Sequence, residues 1–287
     1  MTYDAIIIGK GPAGISASLY LARAGYSALV IGKDAGALER AEKIENYYGF
    51  PSAVSGIELV NRGIAQAERF GVSIKSEEVV HVGIEDNFLI KTTENEYKAK
   101  ILLLATGKAR TTLRVPGFEA LRGKGISFCA TCDGFLYRGK KLAVIGTGDY
   151  AVNELSELLR FTHDITLFTH GEEITAAALP DDIPVVSEKI AAFEGSGHIL
   201  GIRTEPGTLY SVEGCFVAIG TAGAADFAAK TGIEVTKSDI VVDSSFMTNI
   251  PGIFAAGDCV GGFLQIAKAV SDGAHAAKGM ISYLKKN

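Results

Sequence analysis

Residues 128–134 read FCATCDG and hold two of the chain's four cysteines, Cys129 and Cys132, in Cys-X-X-Cys spacing with Asp133 directly after them. Such a pair can be half of a metal site, a structural staple, or a centre for thiol–disulfide exchange. A structural zinc site takes four ligands, usually as two spaced pairs. Here the other cysteines, Cys215 and Cys259, stand far apart, and the five histidines show no metal-ligand spacing. A disulfide across two intervening residues closes a very small loop and removes little unfolded-state entropy, so it is a poor staple. Redox exchange remains. It needs a thiolate near neutral pH, which Cys-X-X-Cys geometry supplies by lowering a thiol pKa from about 8.5 toward about 7. Asp133 can then carry the proton that the leaving thiolate takes up. Cys215 lies in an apolar strand and reads as a buried small residue, and Cys259 is given no role.

The elements that must position this pair occur twice. Residues 3–32 run as a short β-rich segment, a glycine turn, an amphipathic helix with Ile15, Leu19 and Leu21 among its apolar positions, and a second apolar strand. Residues 141–168 repeat that order, so each copy reads as a βαβ unit. Both copies close alike, with two strands about a tight turn and an apolar strand ending in glycine, at Gly107 and at Gly220. A further strand-like run, GIFAAGDCVGG at 252–262, has no counterpart in the second copy and is expected to complete the first domain from the far end of the chain. The second domain is then inserted in the first, with crossings near residues 112 and 241.

Gly9, Gly11 and Gly14 form G-X-G-X-X-G straight after a strand and straight before a helix. In that context the first glycine permits the tight turn, the second lets backbone approach a pyrophosphate, and the third lets helix and strand pack closely. The helix N-terminus then faces the phosphates. The ribose-binding acid expected about 20 residues further on is weakly represented, because Asp34 is the nearest acid and reads as a loop carboxylate. Asp258, ending the apolar run IFAAGD ahead of Gly261 and Gly262, sits at a strand end that a ligand can reach.

A formal charge of −5 gives no basic field for nucleic acid or anionic lipid, and 47% hydrophobic residues suffice for two packed cores. No cationic segment with an apolar run and cleavage site opens the sequence, and no apolar run approaches the roughly 18 residues of a spanning helix. The expectation is a soluble, cytoplasmic protein with neither nucleic acid nor membrane as partner.

Together the motifs resemble the low-molecular-weight flavin-dependent thioredoxin reductases. The resemblance is carried by GKGPAG (9–14), IENYYG (44–49), LLATG (103–107), CATCDGFLYRG (129–139), GTGDYA (146–151), VAIG (217–220), IFAAGD (253–258) and LQIAKAV (264–270). It implies an α/β fold of two Rossmann-like, three-layer ββα dinucleotide-binding domains. Residues 1–112 with 241–287 would form the FAD domain, and 113–240 an inserted pyridine-nucleotide-type domain carrying the cysteines. It also implies roles. Gly9, Gly11, Pro12, Ala13 and Gly14, Thr106 and Gly107, and Gly257 would contact FAD, and Asp258 would bond its ribityl chain. Asn46, Gln265 and Ile266 would lie by the isoalloxazine ring. Cys132 would face the flavin, Cys129 would attack the protein disulfide, and Asp133 would manage thiol protons. The partner would be thioredoxin or a thioredoxin-like protein, and the assembly a homodimer.

Two departures bear on the electron donor. NADPH-using members carry an arginine clamp after the second βαβ strand, where this chain has LFTHGEEI: His170 is kept, but Gly171 and Glu172 replace arginines and Glu173 follows. Losing two charge-assisted bonds weakens binding of a 2′-phosphate by about 3 to 6 kcal/mol. In the second turn, Gly146, Gly148 and Ala151 persist, yet Tyr150 is expected to crowd the phosphates. The turn is then either an NADH site or a remnant kept for packing. The reading is a flavoprotein disulfide reductase whose donor is ferredoxin, a reduced deazaflavin or NADH. The alternatives are an oxygen-using FAD-dependent dithiol oxidase and a flavin-binding scaffold without turnover.

Overall fold

The computed structural model describes residues 2–107, 113–128, 130–205, 207–220, 227–228, 231–236 and 239–287, with the side chains of Arg40, Thr131 and Cys132 outside that description. The chain forms two compact units, Met1–Ala109 with Gly223–Asn287, and Arg110–Ala222. It begins with β1 (Thr2–Ile8), α1 (Pro12–Arg23), β2 (Ala28–Ile31), α2 (Gly56–Arg69), β3 (Ser73–Lys75), β4 (Val79–Ile84), β5 (Phe88–Thr92) and β6 (Glu96–Leu104). The second unit holds α3 (Phe118–Leu121), β7 (Ile126–Ser127), α4 (Ala130–Asp133), β8 (Leu142–Ile145), α5 (Asp149–Leu158), β9 (Ile165–Phe168), β10 (Val185–Val186), β11 (Ile190–Gly195), β12 (Ile199–Thr204), β13 (Leu209–Ser211) and β14 (Gly214–Val217). The chain returns to the first unit with β15 (Val235–Thr236), β16 (Asp239–Ile240), β17 (Ile253–Ala255) and the long α6 (Ile266–Leu284).

In the first unit the sheet order is β3-β2-β1-β6-β5-β4, with β17 also paired to β6. β6 works in two halves: Glu96–Ala99 runs antiparallel to β5, and Leu102–Leu104 runs parallel to β17. Ile6, Ile7, Leu29, Val30, Ile31, Leu102, Leu103 and Leu104 are buried without alternation, the mark of parallel strands covered on both faces. The IFA of the far C-terminal run thus completes this sheet. Pro12 opens α1, where a missing N–H costs nothing, and Ala13, Ile15, Ala17 and Leu21 bury the helix's inner face.

The second unit has a parallel sheet, β10-β9-β8-β14-β7, and a separate antiparallel meander, β11-β12-β13. The two units share the βαβ start, but they close differently. Where β6 is continuous, the second copy breaks between β13 and β14: Val212 N donates to Leu200 O, whereas Glu213 N donates to Lys141 O. The chain changes partner strand at that step. The return to the first unit falls near residue 223, earlier than the expected 241. Asn249 anchors the intervening segment, accepting from Glu234 N and donating to Gly232 O, while the Asp239 carboxylate lies against Gly261. Among the described residues, no helix is long and apolar enough to cross a membrane.

Candidate functional site

The first glycine turn separates glycines that the protein needs from one it does not. A Cβ on Gly9, whose φ is +115°, would stand 2.2 Å from Ala105 O, and one on Gly14 would stand 1.9 Å from Gly9 O. Both therefore close the turn against the chain itself. A Cβ on Gly11 would meet nothing within 4 Å. Gly11 is the N-cap of α1, no side chain caps that end, and no acid lies in its first turn, so the positive end of the helix dipole faces open space.

The other residues expected to bind a cofactor lie in the same unit, and the backbone at Thr106 stands against Gly9. Ala13 is buried beside Gly257, where an added Cβ would come within 2.9 Å of the Ala13 methyl. Thr106 and Gly107 follow β6, and the Thr106 Oγ1 is buried with no hydrogen-bond partner in the protein. Gly257 leads into a short 3-10 turn, Asp258–Val260, with Asp258 half-buried. Gln265 is the N-cap of α6 and Ile266 its first residue. Asn46 Nδ2 donates to Gln265 Oε1 at 3.1 Å, joining the IENYYG and LQIAKAV segments. Asp34 accepts the Gly36 amide at 2.8 Å and closes a local turn. Sequence reasoning passed over Lys10, whose Nζ donates to Ser76 Oγ at 2.8 Å and to Lys33 O at 3.3 Å. Burial holds its ammonium below the usual lysine pKa, with Asp34 and Glu39 pulling the other way.

In the second unit Cys129 lies outside the described residues, and Cys132 is described by its backbone alone, within α4. The surroundings of the motif are clear. Ser127 Oγ donates to Asp133 Oδ2 at 2.6 Å. The Phe128 ring packs edge-on to Phe118 at 6.1 Å, under the Arg122 guanidinium at 4.8 Å. Glu154, 1% exposed, accepts the Ala130 amide at 2.7 Å. Tyr150 is likewise 1% exposed, and its hydroxyl lies 3.4 Å from Phe128 O. This corrects the expectation that Tyr150 crowds a phosphate site, because its ring is turned into the core. Neither the Ser127 nor the Glu154 contact is legible in the sequence: Glu154 meets Ala130 only through the packing of α5, and Ser127 meets Asp133 through the local fold of the segment around α4.

The second glycine turn is covered by its own chain. A Cβ on Gly148 would lie 3.6 Å from Thr175 Oγ1 and 3.8 Å from Gly220 O. Thr175 N and Ala176 N donate to Thr147 O at 2.8 and 2.9 Å. Ala177 N donates to Asp149 Oδ1 at 2.8 Å, so a carboxylate from the first turn of α5 already stands at that helix end. His170 adopts φ 54°, and its Nδ1 accepts the Ile190 amide at 2.9 Å. Its ring serves β11. Glu172 and Glu173 are exposed.

Cys215 and Cys259 are buried free thiols. Burial pushes the Cys259 thiol up to about 12, assisted by the Asp258 charge, and raises Cys215 further still. Among the described residues, no cluster of His, Cys, Asp and Glu could hold a metal ion.

A family model described as pyridine nucleotide-disulphide oxidoreductase matches residues 3–273. The thioredoxin reductase of Listeria monocytogenes is 32% identical over 302 residues, spanning 99% of this chain and 94% of that protein. The crystal structure of an atypical thioredoxin reductase from Desulfovibrio vulgaris Hildenborough is 40% identical, with a TM-score of 0.94 over 100% of this chain and 99% of the other. That of a ferredoxin-flavin thioredoxin reductase from Clostridium acetobutylicum is 28% identical, with a TM-score of 0.78 over 100% and 99%.

Proposed function

The chain belongs to the pyridine nucleotide-disulphide oxidoreductase family, among the thioredoxin reductases, and we propose that it reduces thioredoxin or a similar small protein disulfide with electrons from a donor other than NADPH. It is an FAD-dependent oxidoreductase. The residues present suit that cofactor on two counts: the bare backbone at Gly11 above an uncapped helix end, and the buried Thr106 hydroxyl without a protein partner.

FAD supplies, when bound, two-electron exchange between the donor and the disulfide. Gly9, Gly11, Pro12, Ala13 and Gly14 cradle its pyrophosphate, and Thr106, Gly107 and Gly257 line its path. Asp258 accepts from a ribityl hydroxyl, and Asn46, Gln265 and Ile266 border the ring. Cys132 is assigned as the thiol that exchanges electrons with FAD. Cys129 Sγ attacks one sulfur of the partner disulfide, and the partner's other sulfur leaves as a thiolate and takes up a proton. Cys132 Sγ then attacks Cys129 Sγ, re-forming the Cys129–Cys132 bond and releasing the second partner thiol. Asp133, held by Ser127, carries the protons. Phe135 and Leu136, directly after the motif, are 59% and 57% exposed and offer an apolar face to the partner.

At Gly11 the backbone is open, whereas at Gly148 the 175–177 amides fold onto Thr147 O and the Asp149 carboxylate. A pyrophosphate would have to displace those bonds and face an acid. The neighbouring Clostridium enzyme is by its name a ferredoxin-flavin thioredoxin reductase, which supports a low-potential donor such as ferredoxin or a reduced deazaflavin here. Calorimetric titration tests this: NADPH should show no saturable binding to the FAD-loaded protein, any nicotinamide binding should favour NADH, and micromolar NADPH binding would overturn the reading.

A further inference from the structure

The turn that presents Asp258 is tied to α6 by an ion pair outside the machinery described so far. Lys268 lies in the first turn of α6, and its Nζ stands 2.7 Å from Asp272 Oδ2. The same ammonium donates to Gly257 O at 3.0 Å and to Gly261 O. Asp272, 7% exposed, also accepts the Gly257 amide at 3.2 Å. An ammonium has three donors and no acceptor, so these three oxygens match its whole capacity. None is left over for a ligand.

The two carbonyls that Lys268 grips bracket the Asp258–Val260 turn, and they belong to glycines at φ +86° and +73°. Such glycines cost more chain entropy to order than other residues, so the turn depends on outside bonds for its shape. Lys268 and Asp272 supply them from one helix face, at i and i+4. Asp239 packs on Gly261 from elsewhere in the first unit. Cys259, inside the turn, adds its thiol to Leu104 O and Ala256 O.

We infer that Lys268 and Asp272 are positioning residues for the cofactor, holding the 257–261 turn so that the Asp258 carboxylate meets FAD. The inference rests on the reading of Asp258 as an FAD ligand. Lys268 acts on the cofactor through Asp258 and not by touching it. Without the ammonium, two carbonyls lose their donor and a carboxylate is left buried and uncompensated, which displaces the turn. A charge-assisted bond is sensitive to such displacement because its strength depends on short, aligned geometry.

A thermodynamic cycle on FAD affinity tests this, read by quenching of flavin fluorescence on adding FAD to the apoprotein. Asp258→Ala and Lys268→Met should each weaken binding about 10- to 100-fold. Because the two act as one unit, adding Lys268→Met to Asp258→Ala should cost less than about twofold more. Equal losses from Lys268→Met in both backgrounds would overturn the positioning role while leaving Asp258 as a ligand. An Asp258→Ala protein that binds FAD normally would remove both readings. Should Lys268→Met lower the urea midpoint of the apoprotein too far, the charge-free pair Lys268→Met with Asp272→Asn carries the same cycle and must give the same coupling.

Discussion

Glu154, almost wholly buried, accepts the backbone amide of Ala130 at 2.7 Å. That bond ties α5, the helix of the second glycine turn, to the short helix that holds the redox motif. Tyr150, from the same helix, reaches Phe128 O on the other side of Cys129. The helix that in a nucleotide-binding domain would face phosphates is here a seat for the Cys-X-X-Cys segment.

Glu154→Ala leaves a buried amide without its acceptor and should cost about 1 to 3 kcal/mol of stability, seen as a lower urea midpoint, with slower thioredoxin reduction. Glu154→Gln keeps an acceptor oxygen in the same place and should restore most of both. Equal damage from the two substitutions would mean that the carboxylate charge, and not the bond to Ala130, is what matters.

The three glycines of the first turn should separate by kind of damage. Gly9→Ala and Gly14→Ala put a Cβ 2.2 and 1.9 Å from backbone oxygens, so they should destabilise the apoprotein by about 2 kcal/mol or more. Gly11→Ala meets no protein atom, so its apoprotein should unfold as the wild type does while FAD binding falls. Denaturation of apoprotein alongside FAD titration distinguishes these outcomes.

Single cysteine substitutions should give unequal products. If Cys132 is the thiol that exchanges electrons with FAD, as proposed, Cys129→Ser should add a long-wavelength absorption band to the flavin spectrum. Cys132→Ser leaves Cys129 free to form a trapped mixed disulfide with thioredoxin, isolable without reductant. If the two outcomes were exchanged, the roles would be too.

Cys215 and Cys259 should resist iodoacetamide in the folded, reduced protein and react once it is denatured. Burial raises both thiols, Cys259 to about 12. Below the ordinary thiol pKa of about 8.5 both folded and unfolded states keep these protons, so stability does not vary with pH on their account. Above it only the unfolded state releases them, and their contribution to stability is lost as pH rises toward the folded values. A urea midpoint that rises between pH 8 and pH 10, roughly the window opened by these shifts, would contradict this assignment.

The repeated βαβ pattern, the glycine turn and the return of the IFA strand were all legible, because continuous apolar runs and glycine spacing express local geometry. What escaped depended on distant partners. Tyr150 stands where the resemblance places a small residue beside the phosphates, but the side-chain direction at the start of a helix is set by which face packs, and here that face holds Phe128. Ser127 directly precedes the motif that holds Asp133, yet no pattern announces their bond. The Lys10 to Ser76 contact spans 66 residues, and the cover over Gly148 comes from a segment whose residues look like ordinary loop.

Stopped-flow reduction under anaerobic conditions, with NADPH, NADH, reduced ferredoxin and reduced deazaflavin at equal concentration, identifies the electron donor. Thioredoxin sits near −270 mV, so a donor at about −300 mV or below drives its reduction by about 1.4 kcal/mol or more. A low-potential donor should bleach the flavin rapidly, followed by thioredoxin dithiol formation, with NADPH slow or inert and any nicotinamide activity favouring NADH. Fast bleaching by NADPH with micromolar saturation would contradict it, and would mean that the segment over Gly148 opens to admit a nucleotide.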